Sequence, residues 1–269
     1  MKKKTILLLT VFAVLLLAAA VFCGLKFYRY EREQNENIAL MNQKIATLSE
    51  ELQDLSNTYK TDREYYENSH PWGNGYNWFA IGNSLTWIES YGHGICSTGV
   101  DNDYFGLVKA YLETKHSEVD AFRINAVAWE RKTSNRSTRF YLMDPHLSTA
   151  LNLVTIQLGE NVYDTTTYKE DLIDLINHIK DRCPKARIVV IDDFWDQGVS
   201  DLRRAAAEET GVAFADLSEI RGKPEFQSKE GTVFTLADGS TDTVSKASET
   251  HPGDAGMQYI ADQVIGNLE

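Results

Sequence analysis

Apolar residues fall into three regimes along the chain. The first is Thr5 to Leu25, 21 residues without a charged side chain. As a helix rising 1.5 Å per residue it spans about 31 Å, one bilayer core. Met1 to Lys4 is basic, and Lys26, Arg29 and Arg32 follow, interleaved with Phe27, Tyr28 and Tyr30. That mixture suits a membrane interface. Residues 1–33 therefore read as an N-terminal anchor, a transmembrane helix over 5–25. Ala18-Ala19-Ala20 also offers a signal-peptide cleavage site, which leaves a secreted form as the alternative. The run is long for a signal sequence, which favours the anchor. Phe22 is too large for a lipoprotein motif at Cys23. Basic residues flank both ends, so orientation is only weakly set. The free amino terminus points to an inside N-terminus and an extracytoplasmic bulk.

The second regime is a heptad. Ile38, Met41, Ile45, Leu48, Leu52 and Leu55 are spaced 3, 4, 3, 4 and 3 residues apart, an a/d seam over about three heptads. A coiled-coil stalk is expected over 34–58, with homo-oligomerisation through 38–55. A lone amphipathic helix lying on the domain is the alternative. Residues 59–76 are polar, aromatic and aperiodic, and read as a linker.

The third regime begins near Trp78. Strands are expected at Trp78–Ile81, Ala121–Asn125, Leu153–Leu158, Ile188–Ile191 and Val212–Leu217. Helices are expected at Tyr104–Thr114, Tyr168–Arg182, Leu202–Glu209 and Asp254–Leu268. Near-continuous apolar strands alternating with helices imply an α/β domain over 77–269, its parallel sheet covered on both faces.

Charge narrows the partners. The chain carries 27 Lys+Arg against 39 Asp+Glu, a formal charge of −12. Without residues 1–33 the balance is 21 against 37, or −16. Nucleic-acid binding, which needs a basic face, is not expected. Nor should so acidic a domain cling to anionic polymers by charge alone.

In doubly wound sheets, ligands bind beyond the carboxyl ends of the strands. After the first strand stands Gly82-Asn83-Ser84-Leu85-Thr86. A serine in a tight strand-to-helix turn offers a nucleophile and its own N–H as an oxyanion donor. After the third strand stands Gly159-Glu160-Asn161, whose amide is a second candidate donor. Before the last helix stands His251-Pro252-Gly253-Asp254, a candidate general base. Taken singly, each also suits a cap, a turn or a loop.

Taken together, Ser84, Asn161 and His251, 77 and 90 residues apart, resemble the SGNH (GDSL-type) hydrolase family over roughly residues 77–267. The resemblance implies a flavodoxin-like three-layer α/β/α sandwich that hydrolyses or transfers acyl esters without a cofactor. Ser84 is then the nucleophile and His251 its base. Ser84 N–H and Asn161 form the oxyanion hole, where losing one donor costs about 3 kcal/mol. Two positions depart from the pattern. Ser248 stands where the family has an aspartate. Glu249, Asp254 or no acid at all is left to orient His251, although capping the last helix is the first expectation for Asp254. Glu130 stands where the family has an oxyanion glycine. Its N–H remains a donor, while its side chain brings negative charge. Trp129, Trp195 and Asp193 are candidate substrate contacts, with core packing the competing reading for Trp129.

No zinc spacing, P-loop or complete calcium loop is present, so no metal is expected. Asp101-Asn102-Asp103 reads as a helix cap. Cys96 and Cys183 are either a bridge or two free thiols. The functional expectation is an extracytoplasmic serine esterase or O-acyltransferase acting on small acyl esters, acetyl first among them, of a cell-envelope or extracellular glycan. The alternatives are a catalytically weak glycan-binding scaffold, or a lysophospholipase or thioesterase.

Overall fold

The computed structural model describes residues 22, 25–32, 34–42, 44–46, 48–49, 69–195 and 198–269. The chain divides into two compact units, Met1–Asn57 and Thr58–Glu269.

In the first unit the described residues are helical. Ile38, Met41, Ile45 and Leu48, the described seam positions, are each more than half exposed. Leu52 and Leu55 lie outside the described residues, as does the 5–25 run apart from Phe22 and Leu25. Among the described residues no helix is long and apolar enough to cross a membrane.

The second unit is built on a five-stranded parallel sheet. In chain order its elements are β1 (Tyr76–Gly82), α1 (Tyr104–Lys115), β2 (Val119–Asn125), the single turn α2 (Val127–Glu130), β3 (Leu153–Gln157), α3 (Tyr168–Arg182), β4 (Arg187–Ile191), α4 (Ser200–Thr210), β5 (Ala213–Ala215), the hairpin β6 (Val233–Thr235) and β7 (Thr241–Thr243), and α5 (Asp254–Gly266). The strand order is β2-β1-β3-β4-β5, a doubly wound arrangement.

Both faces of the sheet are buried, which explains the nearly unbroken apolar strands. Phe79, Ile81, Val154, Ile156 and Val190 face a core shared with α3 and α4. Trp78, Ala80, Leu153, Val189 and Ile191 face a second core shared with α1 and α5. In α3 the fully buried Leu172, Leu175, Ile176 and Ile179 recur at helical spacing. Its charged residues take the other side.

Helix ends follow local chemistry. Asp103 caps α1 by accepting the N–H of Gly106 at 2.7 Å. Gly211 ends α4 in the left-handed conformation. Asp254 does not cap α5. The cap position is Gly253, and the Asp254 carboxylate instead takes the N–H and hydroxyl of Thr98 at 2.8 and 2.7 Å. Cys96 and Cys183 are free, buried thiols, so the bridge is not formed.

Of the stretch expected as linker, residues 59–68 lie outside the described residues, and the part just before β1 is fastened to the domain. Trp72 Nε1 donates to the His146 carbonyl at 2.7 Å. His70 Nε2 and Gly73 N–H both meet the Asp120 carboxylate.

Register places the site. Gly82 lies beside Asn125 on one side and Gln157 on the other. The segments leaving β1, β2 and β3 therefore emerge together at one sheet edge.

Candidate active site

Ser84 sits in a turn with no helix behind it. The N–H groups of Thr86 and Trp87 both bond the Asn83 carbonyl at 3.0 Å, and the next helix, α1, starts only at Tyr104. The intervening loop is held from β2. Arg123 donates to the carbonyls of Thr86 (3.3 Å) and Gly92 (2.6 Å) and pairs with Asp103. Asn125 Nδ2 donates to the Trp87 carbonyl at 2.9 Å. Gly82 is required: a Cβ there would lie 1.8 Å from Thr86 Oγ1.

Donors in this turn are almost all committed. Asn83 N–H goes to Gln157 Oε1 at 3.3 Å, and Leu85 N–H to Asn83 Oδ1 at 3.0 Å. Thr86 and Trp87 are spent on the Asn83 carbonyl. The Ser84 N–H meets no protein acceptor among the described residues. It is left for a ligand oxygen, as an oxyanion donor must be.

Asn161 follows β3. Its Nδ2 donates to Glu130 Oε2 at 2.8 Å, leaving the second amide hydrogen unspent. Glu130 is fully buried. Its other oxygen takes Asn83 Nδ2 at 3.0 Å and the Gly159 N–H. Glu130 thus places a carboxylate inside the site, where it accepts three N–H donors from two neighbouring loops. The carboxylate is thus buried and held by neutral N–H donors.

A second buried acid lies beside it. Glu160 Oε2 accepts from Asn83 Nδ2 and from Gln157 Nε2, each at 2.7 Å. Its Oε1 is 3.0 Å from Arg203 Nη2. Burial raises the Glu160 pKa to about 7. Arg203 opposes that rise, and the nearby Glu130 and Asp193 add to it. Arg203 reaches this position over Gly159, which has φ +144°. A Cβ there would come 2.3 Å from Arg203 Nη2.

His251 precedes α5. Its carbonyl accepts the Ser228 N–H at 2.7 Å. Nδ1 lies 2.9 Å from the main-chain carbonyl of Ser248. A carbonyl oxygen only accepts, so Nδ1 carries the proton and Nε2 is the basic nitrogen. Burial lowers the His251 pKa below 6.5, and the bond to Ser248 partly offsets this. The carbonyl also accepts Cys96 Sγ at 3.3 Å. Burial raises that thiol's pKa to about 11, so it stays protonated. Glu249 is paired with Lys246 at 2.5 Å and Asp254 with Thr98. Among the described residues neither carboxylate bonds His251, and no hydrogen bond joins Ser84 to His251.

The three expected substrate contacts separate. Trp195 is partly exposed and meets His251 edge to face, with centroids 5.0 Å apart and planes at 82°. Its Nε1 donates to the Thr250 carbonyl at 2.9 Å. Trp129 is fully buried in the α3/α4 core, with Arg136 over its ring. It packs rather than lines a pocket. Asp193 is also fully buried, and its Oδ1 accepts the Trp195 N–H at 2.9 Å. It shapes the Trp195 turn and is inaccessible to a sugar.

Asn83, Gln157 and Arg203 also belong to the site, although the sequence motifs do not single them out. Gln157 gave a signal, as a polar residue ending an apolar strand. Arg203 gave a fainter one, since it shares a helix face with Ala206 and Ala207, both buried. Among the described residues no group of His, Cys, Asp and Glu is arranged to hold a metal.

No family model matches the chain, and no curated protein matches it. Solved structures do resemble it, and the neighbours are esterases and lipases. One is a two-domain esterase (CEX) active on acetylated mannans, at 14% identity, covering 72% of this chain and 48% of that one, TM-score 0.46. The chain thus spans about half of that esterase. Another is phospholipase A1 from Streptomyces albidoflavus, at 12% identity, covering 72% and 99%, TM-score 0.44. A third, by name a GDSL-like lipase from Parabacteroides merdae, is 15% identical, covering 71% and 94%, TM-score 0.46.

Proposed function

We propose that the chain is a serine ester hydrolase of the SGNH type, with an extracytoplasmic domain acting on small acyl esters of a glycan. The observation that carries this is the Ser84 turn. Every neighbouring N–H in it is committed, that of Ser84 meets no acceptor among the described residues, and the same sheet edge presents the Asn161 amide.

In this reading His251 Nε2 takes the Ser84 proton as Oγ attacks the ester carbonyl. The tetrahedral oxyanion is met by Ser84 N–H and Asn161 Nδ2. His251 then returns the proton to the departing alcohol. Water resolves the acyl-enzyme in hydrolysis, and a second alcohol resolves it in O-acyl transfer. Contacts between nucleophile and base are commonly loose before substrate binds. Trp195, flat, partly exposed and against His251, suits a sugar face. The acidic domain favours a neutral glycan over an anionic one.

The basic start and the apolar 5–25 run support single-pass membrane anchoring with the enzyme outside the cytoplasm. The seam from Ile38 to Leu55 supports pairing with a second copy of the chain. Crosslinking of full-length chain should give a dimer that Met41→Lys with Ile45→Lys removes.

The decisive experiment uses purified full-length chain. It should hydrolyse p-nitrophenyl acetate and take up a fluorophosphonate, and Ser84→Ala should lose both. Turnover unchanged in Ser84→Ala sinks the reading. Because no carboxylate among the described residues bonds His251, a scaffold that binds glycan with little catalysis is the second reading. Absence of Ser84 labelling in folded protein would favour it.

A further inference from the structure

We propose that Glu130 is the positioning residue of the oxyanion hole: its carboxylate dictates which end of the Asn161 amide faces the reacting carbonyl. This rests on the esterase reading above.

The two ends of an asparagine amide have nearly the same shape, so only hydrogen bonds choose between them. At Asn161 the choice is made by Glu130 Oε2, which receives Nδ2 at 2.8 Å. A flipped amide would set Oδ1 against a buried carboxylate oxygen, with no proton between two acceptors.

The carboxylate cannot turn away to permit the flip. Its other oxygen holds the Gly159 N–H and Asn83 Nδ2. The Asn83 amide is itself fixed by an independent contact, since its Oδ1 accepts the Leu85 N–H at 3.0 Å. Its Nδ2 then faces Glu130 at 3.0 Å and Glu160 at 2.7 Å. The order runs from the turn that carries Ser84, through Asn83 and Glu130, to Asn161. Both oxyanion donors are thereby set by one connected network. Arg203, fully buried and 3.0 Å from Glu160, supplies positive charge behind the two acids.

Glu130→Gln tests this sharply. A glutamine must aim its NH₂ either at the Gly159 and Asn83 donors together or at Asn161 alone. Turning the single Asn161 amide is the smaller disturbance, and it replaces the oxyanion donor by a carbonyl.

The experiment is a double-mutant cycle on full-length chain with p-nitrophenyl acetate. Asn161→Ala should lower kcat by about 10² to 10³, with KM within about threefold. Glu130→Gln should fall within about fivefold of Asn161→Ala. The double variant should lie within about threefold of Asn161→Ala, because both changes remove one interaction. Glu130→Asp, which keeps a carboxylate, should recover at least about tenfold over Glu130→Gln. Glu130→Gln with near-wild-type kcat, or losses that multiply in the double variant, would overturn the proposal. If Glu130→Gln does not fold by circular dichroism, the cycle is run with Glu130→Ala, which also removes the carboxylate, and judged by the same non-additivity. If wild type neither turns over ester nor labels at Ser84, the esterase reading fails first. The positioning claim is then decided by the side-chain amide NMR signal of Asn161. A shift in Glu130→Gln that Glu130→Asp largely restores supports it, and an unchanged signal in Glu130→Gln overturns it.

Discussion

His251 takes its orientation from the main chain of Ser248: Nδ1 lies 2.9 Å from the Ser248 carbonyl, while the Ser248 hydroxyl lies 3.2 Å from Ser245 Oγ. A neutral carbonyl fixes tautomer and ring angle as an acid would. It offers the imidazolium a dipole in place of a full charge.

The side chains at 248 and 249 should therefore be dispensable. Ser248→Ala and Glu249→Gln are each expected to keep kcat within about twofold of wild type. By contrast, loss of a true orienting acid costs up to about 10⁴. Steady-state kinetics on p-nitrophenyl acetate checks this, and a hundredfold loss in Glu249→Gln would reinstate a carboxylate.

Burial holds the His251 pKa below 6.5, so the imidazole is neutral and basic at pH 7. The expected profile of kcat/KM rises with pH through an inflection below 6.5 and is flat by neutrality. A series between pH 4.5 and 8 reads it directly. An inflection above 7 would contradict the buried, carboxylate-free setting.

Glu160 gives a stability signature of the opposite sense. Its pKa is raised to about 7 from 4.5, so the folded chain binds this proton more tightly than the unfolded one. That contribution is complete below about 4.5 and is lost as pH rises through about 7. His146, lowered to about 4 by burial and by the nearby His70, acts in the other direction below 6.5, as does His251. The clean window is pH 6.5 to 8, where the thermal midpoint should fall. Glu160→Gln should flatten that fall, and an equal slope in both proteins would reject the assignment.

Gly82→Ala should be among the costliest single-methyl changes in the chain. The new Cβ meets Thr86 Oγ1 at 1.8 Å and Gln157 Oε1 at 2.9 Å, and Thr86 is tied to Tyr104 at 2.7 Å. A loss of about 1–3 kcal/mol is expected, together with loss of Ser84 labelling. Chemical denaturation measures the first, and the fluorophosphonate the second.

Strands and long helices were legible because they rest on burial, and burial imposes a period. Val154 and Ile156 announce a sheet covered on both faces, and Leu172 to Ile179 a helix covered on one. The site order was legible because Ser84, Asn161 and His251 each follow a strand or precede a helix. What escaped depends on convergence of distant segments. In the sequence Glu130 is only a negative charge at an expected oxyanion position, until donors from Asn83, Gly159 and Asn161 close on its side chain. The missing helix after Ser84 reflects capture of the Thr86 and Gly92 carbonyls by Arg123 from another strand. The hairpin β6–β7 buries only Phe234 among its strand residues, too little to mark a strand pair.

The placement of Arg203 has a consequence for cooperativity. His251 stands just before α5, which packs on one face of the sheet. The acids behind Asn161 are backed by Arg203 from α4, which packs on the other. Neither helical layer can loosen alone and leave a competent site. Activity should persist nearly unchanged up to the denaturant concentration at which the domain unfolds, and then vanish in the same transition, with no inactive but folded species between.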